Sequence, residues 1–188
     1  MPTTNNRWRW CMAMVAFLLT SWIGNRAVDA ATSAQVGEYD LKAALVYRTS
    51  KFIEWPASAF AEAKSPFVVC VVSDNTAVLT AFRALESKTI GARAVNLRRI
   101  TGDMLDLRQC HAAYFAADAA GQIDYAADKL EGAPVLTVGN DKMFVERGGM
   151  LALIMNPERV SFLVNLSATK RARLGVSSQL LQLAAVYE

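Results

Sequence analysis

The stretch Tyr39–Pro56 reads YDLKAALVYRTSKFIEWP. At about 100° per residue, Leu41, Ala44, Leu45, Phe52 and Trp55 fall on one stripe, so the spacing predicts a helix over residues 40–55. Val46 and Ile53 lie off that stripe, which predicts packing on more than one side of the helix. Glu38 and Asp40 suit the positive end of the helix dipole. Pro56 has no backbone N–H and biases Trp55 away from helical geometry, so the helix is expected to stop there. Arg48 interrupts the apolar stripe, and a guanidinium in that position must reach water or find a partner.

Upstream of this helix the chain changes character. Arg7 and Arg9 form a basic start, and Cys11 to Ile23 (CMAMVAFLLTSWI) is an apolar run of signal-peptide length. A membrane span needs about 20 apolar residues, and this run is shorter. Val28-Asp29-Ala30 places small residues where a signal peptidase reads, so residues 1–30 are expected to be removed; an uncleaved N-terminal anchor is the alternative. Cys11 opens the apolar run instead of following a small-residue lipobox, which argues against a lipoprotein. Cleavage after Ala30 lowers the net charge from +3 to +1, leaving 17 basic and 16 acidic residues. No clustered basic surface of the kind nucleic acid requires is left. Lys170-Arg171-Ala172-Arg173 reads as a solvated helix end.

Cys70 and Cys110 are the cysteines of the exported part. An even count in an oxidising compartment suggests a disulfide, with two buried thiols as the other possibility. Closing a loop of this length would contribute roughly 3–4 kcal/mol in the chain-entropy view.

Downstream, residues 31–38 are expected to fray after cleavage, and Ala57 to Ser65 to be weakly helical at most. Phe67–Val72 (FVVCVV) is a continuous β-branched run, as in a strand buried on both faces. Asp74 or Asn75 can cap a helix holding Val78, Leu79, Phe82 and Leu85. A less buried strand over 92–97, a short turn around Met104 and Leu107, and a strand over 112–116 follow. A disulfide between Cys70 and Cys110 requires the strands of 67–72 and 112–116 to be neighbours. A helix over 121–130 and a strand over 134–138 come next. MLALIM (150–155) and VSFLVN (160–165) flank Asn156-Pro157-Glu158-Arg159, a hairpin pattern. A helix over 166–174 and a last helix from Ser177 or Ser178 through Val186 complete the chain. Strands alternating with helices over 66–138 indicate parallel βαβ units. The fold class expected is α/β: a single domain, residues 31–188, with a mixed, partly parallel sheet built from βαβ units plus a C-terminal hairpin, covered by helices.

The sequence offers little for catalysis. Its one histidine, His111, has no accompanying GxSxG elbow, and it reads as a strand-edge residue with a satisfied ring. One histidine and two cysteines do not make up the four ligands of a zinc site. Neither GxGxxG nor GxxxxGK[ST] is present to cradle phosphate. The acidic pairs Asp103/Asp106 and Asp124/Asp128 read as solvated faces. No catalytic residue, metal site or cofactor is therefore expected, and the protein is read as a non-enzyme.

Several motifs, in order along the chain, resemble the YfiR-like family. Tyr47, Lys51, Phe52, Trp55 and Pro56 match its opening helical signature. FVVCVV with Cys70, then Cys110 before a short apolar strand, match its first strand and second cysteine. Pro134–Val138 (PVLTV) matches a later strand. Gly149-Met150, Arg159, Phe162, Asn165 and Leu166 match its hairpin and following helix, and Leu180, Leu181 and Ala184 match its ending. The resemblance spans residues 40–186. It implies a periplasmic homodimer that binds the periplasmic sensor region of an inner-membrane signalling protein, often a diguanylate cyclase, and holds its output low. Redox or envelope stress lifts that repression, in some systems through an outer-membrane lipoprotein. Two departures stand out. Val145 and Ala152 occupy the region where the best-known member has a second cysteine pair, so a redox switch would rest on Cys70 and Cys110. Arg48 stands where many relatives have Asn.

Two functional expectations follow. In the first, a regulator contacts its partner through Trp55 and through an outer face made of Leu151, Leu163, Leu166 and Thr169. In the second, the chain is a periplasmic small-molecule sensor with a pocket near Arg48 and Trp55, where an arginine beside an indole would hold a planar anion.

Overall fold

A computed structural model describes residues 25–101, 104–156 and 159–187. Two compact units divide the chain, Met1–Glu38 and Tyr39–Glu188. The start of the expected signal peptide, residues 1–24, lies outside the described residues. From Asn25 the backbone is helical, and helix α1 runs Asn25–Ser50. Residues 31–38, expected to fray after cleavage, are helical in the uncleaved chain; Ala31 and Ala34 lie among them, and alanine favours the helix.

The remaining elements belong to the second unit. They are β1 (Ile53–Glu54), β2 (Phe67–Val72), α2 (Thr76–Arg83), β3 (Thr89–Ile90), β4 (Arg93–Ile100) and β5 (Ala112–Phe115). Then come α3 (Ile123–Lys129), β6 (Leu136–Gly139), α4 (Lys142–Glu146), β7 (Leu151–Met155) and β8 (Val160–Asn165). The chain closes with α5 (Leu166–Arg171), β9 (Gly175–Val176), α6 (Ser178–Leu183) and β10 (Ala184–Tyr187).

Eight strands form one sheet in the order β10-β8-β7-β6-β5-β2-β4-β3. β4, β2, β5, β6 and β7 run parallel, through the βαβ units that the alternation predicts. The hairpin β7–β8 is antiparallel, pairing Leu151 with Val164 and Met155 with Val160. The fold class read from the sequence is the one observed: α/β with a mixed, partly parallel sheet.

Side chains alternate across the sheet, which is covered on both faces. Phe67, Val69, Val71 and Tyr114 face Ala43 and Val46 of α1, Phe82 of α2, Ala168 of α5 and Leu180 of α6. On the other face, Cys70, Val72, Ala113 and Phe115 meet Leu107, Ile123 and Ala126, and Phe144 and Val145 of α4. Phe144 sits between two glycines. A Cβ on Gly139 or Gly149 would overlap its ring, so glycine at both positions makes room for it. Short polar side chains set the helix starts: Asn75, Asp141, Asn165 and Ser177 each accept a backbone N–H from the first turn that follows.

Three boundaries differ from the sequence reading. α1 stops at Ser50, short of Trp55. Thr49 Oγ1 donates to the Leu45 carbonyl at 2.8 Å, and Ser50 Oγ donates to Val46 at 2.8 Å. The chain then tightens through Lys51 N to Arg48 O and Phe52 N to Thr49 O, and leaves as a strand. Ile53 and Glu54 pair with Val176 and Gly175, so the expected last helical turn is half of a two-stranded ribbon, β1–β9. The helix expected over 166–174 ends at Arg171. Arg173 adopts a left-handed φ of 58°, which frees Gly175 for that ribbon. The last helix yields at Ala184 to β10, parallel to β8, with Val186 opposite Val164.

Candidate partner-binding site and the disulfide seam

The signature residues of the first stretch have structural work to do. Tyr47 Oη donates to the Thr89 carbonyl on β3 at 3.0 Å, and Lys51 Nζ reaches Tyr47 Oη at 3.3 Å. Together they tie the end of α1 to the β3 edge of the sheet. Trp55 Nε1 donates to the His111 carbonyl at 3.2 Å, and its ring stands edge-on to Phe67, with centroids 4.9 Å apart. The indole is half-buried and its polar atom is used internally. Arg48 points to solvent, which resolves its conflict with the apolar stripe.

The expected contact face of the hairpin is mostly interior. Leu151 is 1% exposed, Leu163 8% and Thr169 1%. The physical reason is the second layer of helices. Leu151 faces the α1 side of the sheet, Leu163 faces the α4 side, and β10 adds a strand beyond β8. These three residues belong to the core, and the outer-face reading is corrected for them. Leu166 is half-buried at the rim of the α1-side cluster. Phe52, just before β1, and Val176 in β9 are also half-buried against that cluster, and α5 lies against β9. Of the residues proposed for contact, Trp55 and Leu166 are half-buried and Arg48 is exposed, and these are what remains accessible.

Arg48 and Trp55 line none of the cavities described here. A cleft of about 410 Å³ lies between α3 and α5, lined by Asp124, Asp128, Glu131, Arg147 and Arg171. Arg147 is neutralised there. Its Nε lies 2.9 Å from Asp124 Oδ1, and its Nη2 contacts the same carboxylate. The guanidinium holds the Asp124 carboxyl below its ordinary range. A second cleft, of about 280 Å³, is lined by Ala59, Val68, Arg108, Cys110 and His111. Among the described residues no group of three or more His, Cys, Asp or Glu is placed to hold a metal ion.

Cys70 and Cys110 form a disulfide, with Cα atoms 5.9 Å apart. The pairing follows from the sheet. β2 and β5 are adjacent, Cys70 pairs with Ala113 in register, and Cys110 stands just before β5. Both residues are buried, at 0% and 3% exposure. Val145 and Ala152 are fully buried in the same core cluster.

His111 has a satisfied ring, as expected, but a larger role than its sequence context suggests. Val68 N donates to Nδ1 at 2.9 Å, and Nε2 lies 3.0 Å from the Ala59 carbonyl. With Nδ1 accepting, Nε2 holds the proton and the imidazole is neutral. The ring lies between Phe60 and Phe67, with centroids at 4.5 and 5.1 Å. Burial holds its pKa below the ordinary value, helped by the Arg93 charge and opposed by the bond to Ala59. Arg93 was missed at the sequence level. It stacks on Phe60 at 3.6 Å and donates to the Glu62 and Ser65 carbonyls.

The family model described as DUF4154, YfiR/HmsC-like, matches residues 39–185. The chain belongs to the YfiR/HmsC-like family. The match begins at Tyr39, within α1, and takes in β1 to β9 and the first two residues of β10. Among solved structures, a conserved domain protein from Vibrio cholerae O1 biovar El Tor is similar in fold, with a TM-score of 0.54 at 12% sequence identity. The likeness covers 65% of this chain and 55% of that one, so the chain spans little more than half the length of that relative. No curated protein matches.

Proposed function

We propose that this YfiR/HmsC-like protein is a periplasmic regulator that binds the periplasmic sensor region of an inner-membrane signalling protein, a diguanylate cyclase, and represses its output. The observation behind this reading is the family match across nearly the whole second unit. The export-type N-terminus read from the sequence and the Cys70–Cys110 bridge support an oxidising compartment. The half-buried Leu166 and Trp55 offer apolar area and Arg48 an exposed charge, residue types suited to a protein partner. Redox or envelope-stress control, homodimer formation and sequestration by an outer-membrane lipoprotein belong to the same proposal.

The test is affinity capture of the tagged protein from a crosslinked cell envelope, read by mass spectrometry. Recovery of an inner-membrane protein with a periplasmic sensor region and a cytoplasmic diguanylate cyclase domain is the expected result. Recovery of this protein alone, where a known envelope complex is captured in parallel, would overturn the proposal.

A further inference from the structure

The loop of residues 56–66 closes over the N-terminal ends of β2 and β5, and polar side chains hold it there. His111 Nε2 donates to the Ala59 carbonyl, and Phe60 lies flat on the imidazole, 15° from parallel. Arg93 closes the other side, stacked on Phe60 and bonded to the Glu62 and Ser65 carbonyls at 3.0 and 2.7 Å. The loop forms part of the wall of the cleft of about 280 Å³, which Cys110 of the disulfide also lines.

We infer that His111 is a proton-operated latch: protonation of its ring releases the 56–66 loop and opens the cleft at Cys110.

The geometry explains why. Nδ1 accepts from the Val68 amide at 2.9 Å. A proton on Nδ1 turns that contact into two donors facing each other, and the amide cannot move freely because β2 is paired on both sides. The new charge also lies across Phe60 from the Arg93 guanidinium. The ring must therefore swing away, and Ala59 and Phe60 lose their anchor. Of the other charged groups on the elements beside the ring, Arg108 lines the same cleft as His111, Glu62 and Lys64 lie exposed on the loop, and Asp106 lies on the 104–109 turn. Neither carboxylate is paired with the imidazole, so neither compensates a proton placed there. The disulfide sulfurs do not titrate. Because His111 is the only histidine of the chain, its titration can be read without ambiguity.

The experiment measures hydrogen exchange of peptides spanning 57–66 at pH 7 and pH 5, corrected for intrinsic rates, in the purified protein and in His111→Gln. Glutamine offers one acceptor and one donor without a titrating ring. Loss of one anchoring hydrogen bond predicts about a tenfold drop in protection of the loop at pH 5 in the natural protein. No comparable drop is expected in His111→Gln. Equal protection at the two pH values in the natural protein, or the same drop in the variant, would overturn the latch. Should the variant not fold, nuclear magnetic resonance on the natural protein decides. The amides of Ala59, Phe60 and Val68 must titrate with the midpoint of the His111 ring, and a different midpoint or none would overturn it.

Discussion

Cys110 and His111 are consecutive residues, and they fasten two regions of the molecule by different means. Cys110 joins β5 to β2 covalently, within an apolar layer of Ile123, Phe144, Val145 and Leu163. His111 holds the 56–66 loop through hydrogen bonds and ring stacking, with Arg93 as the second clasp. The first region is fixed by burial and a covalent bond. The second is fixed by polar contacts worth about 1 kcal/mol each, and one of its anchors is a titratable imidazole whose pKa burial holds below its ordinary value. The lesson is that one short connection can combine a permanent seam with a releasable one.

The largest effect is expected in the seam. Phe144→Ala removes a ring that is 1% exposed and framed by Gly139 and Gly149. It should cost about 3–5 kcal/mol in denaturant unfolding. A loss under about 1 kcal/mol would mean that this layer is looser than described. Cys110→Ser comes next. It opens a loop with a sequence separation of 40, and should destabilise by roughly 3–4 kcal/mol. If alkylation of the denatured, non-reduced protein labels both Cys70 and Cys110, the bond does not exist and the covalent half of the comparison fails.

Smaller effects belong to the loop region. Trp55→Phe keeps the edge contact with Phe67 and removes the donor to the His111 carbonyl. That carbonyl keeps the Leu136 amide as a partner. About 0.5–1.5 kcal/mol is expected, measured by the same unfolding assay. The smallest effect is a pH dependence. The folded pKa of His111 lies below its ordinary value of 6.5 because burial penalises the charge. The unfolded chain therefore binds the proton first as pH falls. Stability from this group is complete above pH 6.5 and declines below it, down to the folded pKa. A His111→Gln variant with the same slope between pH 6.5 and 5 would assign that slope to another group.

The same contrast explains what was legible in the sequence. FVVCVV announced a strand buried on both faces because every residue in it is apolar, and β2 is that strand. The β7–β8 hairpin was visible in two apolar runs around Asn-Pro. The pairing of Cys70 with Cys110 was suggested by an even cysteine count in an oxidising compartment, and the adjacency it required is the one β2 and β5 show. What misled was the end of α1. Its apolar spacing continued to Trp55, but the hydroxyls of Thr49 and Ser50 turned the backbone earlier, and Ile53 and Glu54 found partners more than 120 residues away at β9. Leu151, Leu163 and Thr169 read as an outer face because a hairpin at a sheet end is usually half-exposed. β10 and the helices on both faces bury them, and no local pattern signals that closure. Arg93 carries no sequence signal, since its role depends on a carbonyl pair in a distant loop.

The proposal is that this protein restrains a membrane diguanylate cyclase. It is tested most directly by measuring cellular cyclic di-GMP with the gene deleted, then restored as the natural protein or as Leu166→Asp. Leu166 is half-buried at the α1-side rim, so export and a natural-like melting temperature of the variant are checked first. The account predicts that deletion raises cyclic di-GMP, that the natural protein brings it back down, and that Leu166→Asp does not. Unchanged cyclic di-GMP on deletion, under conditions where the protein is present in the periplasm, would contradict it.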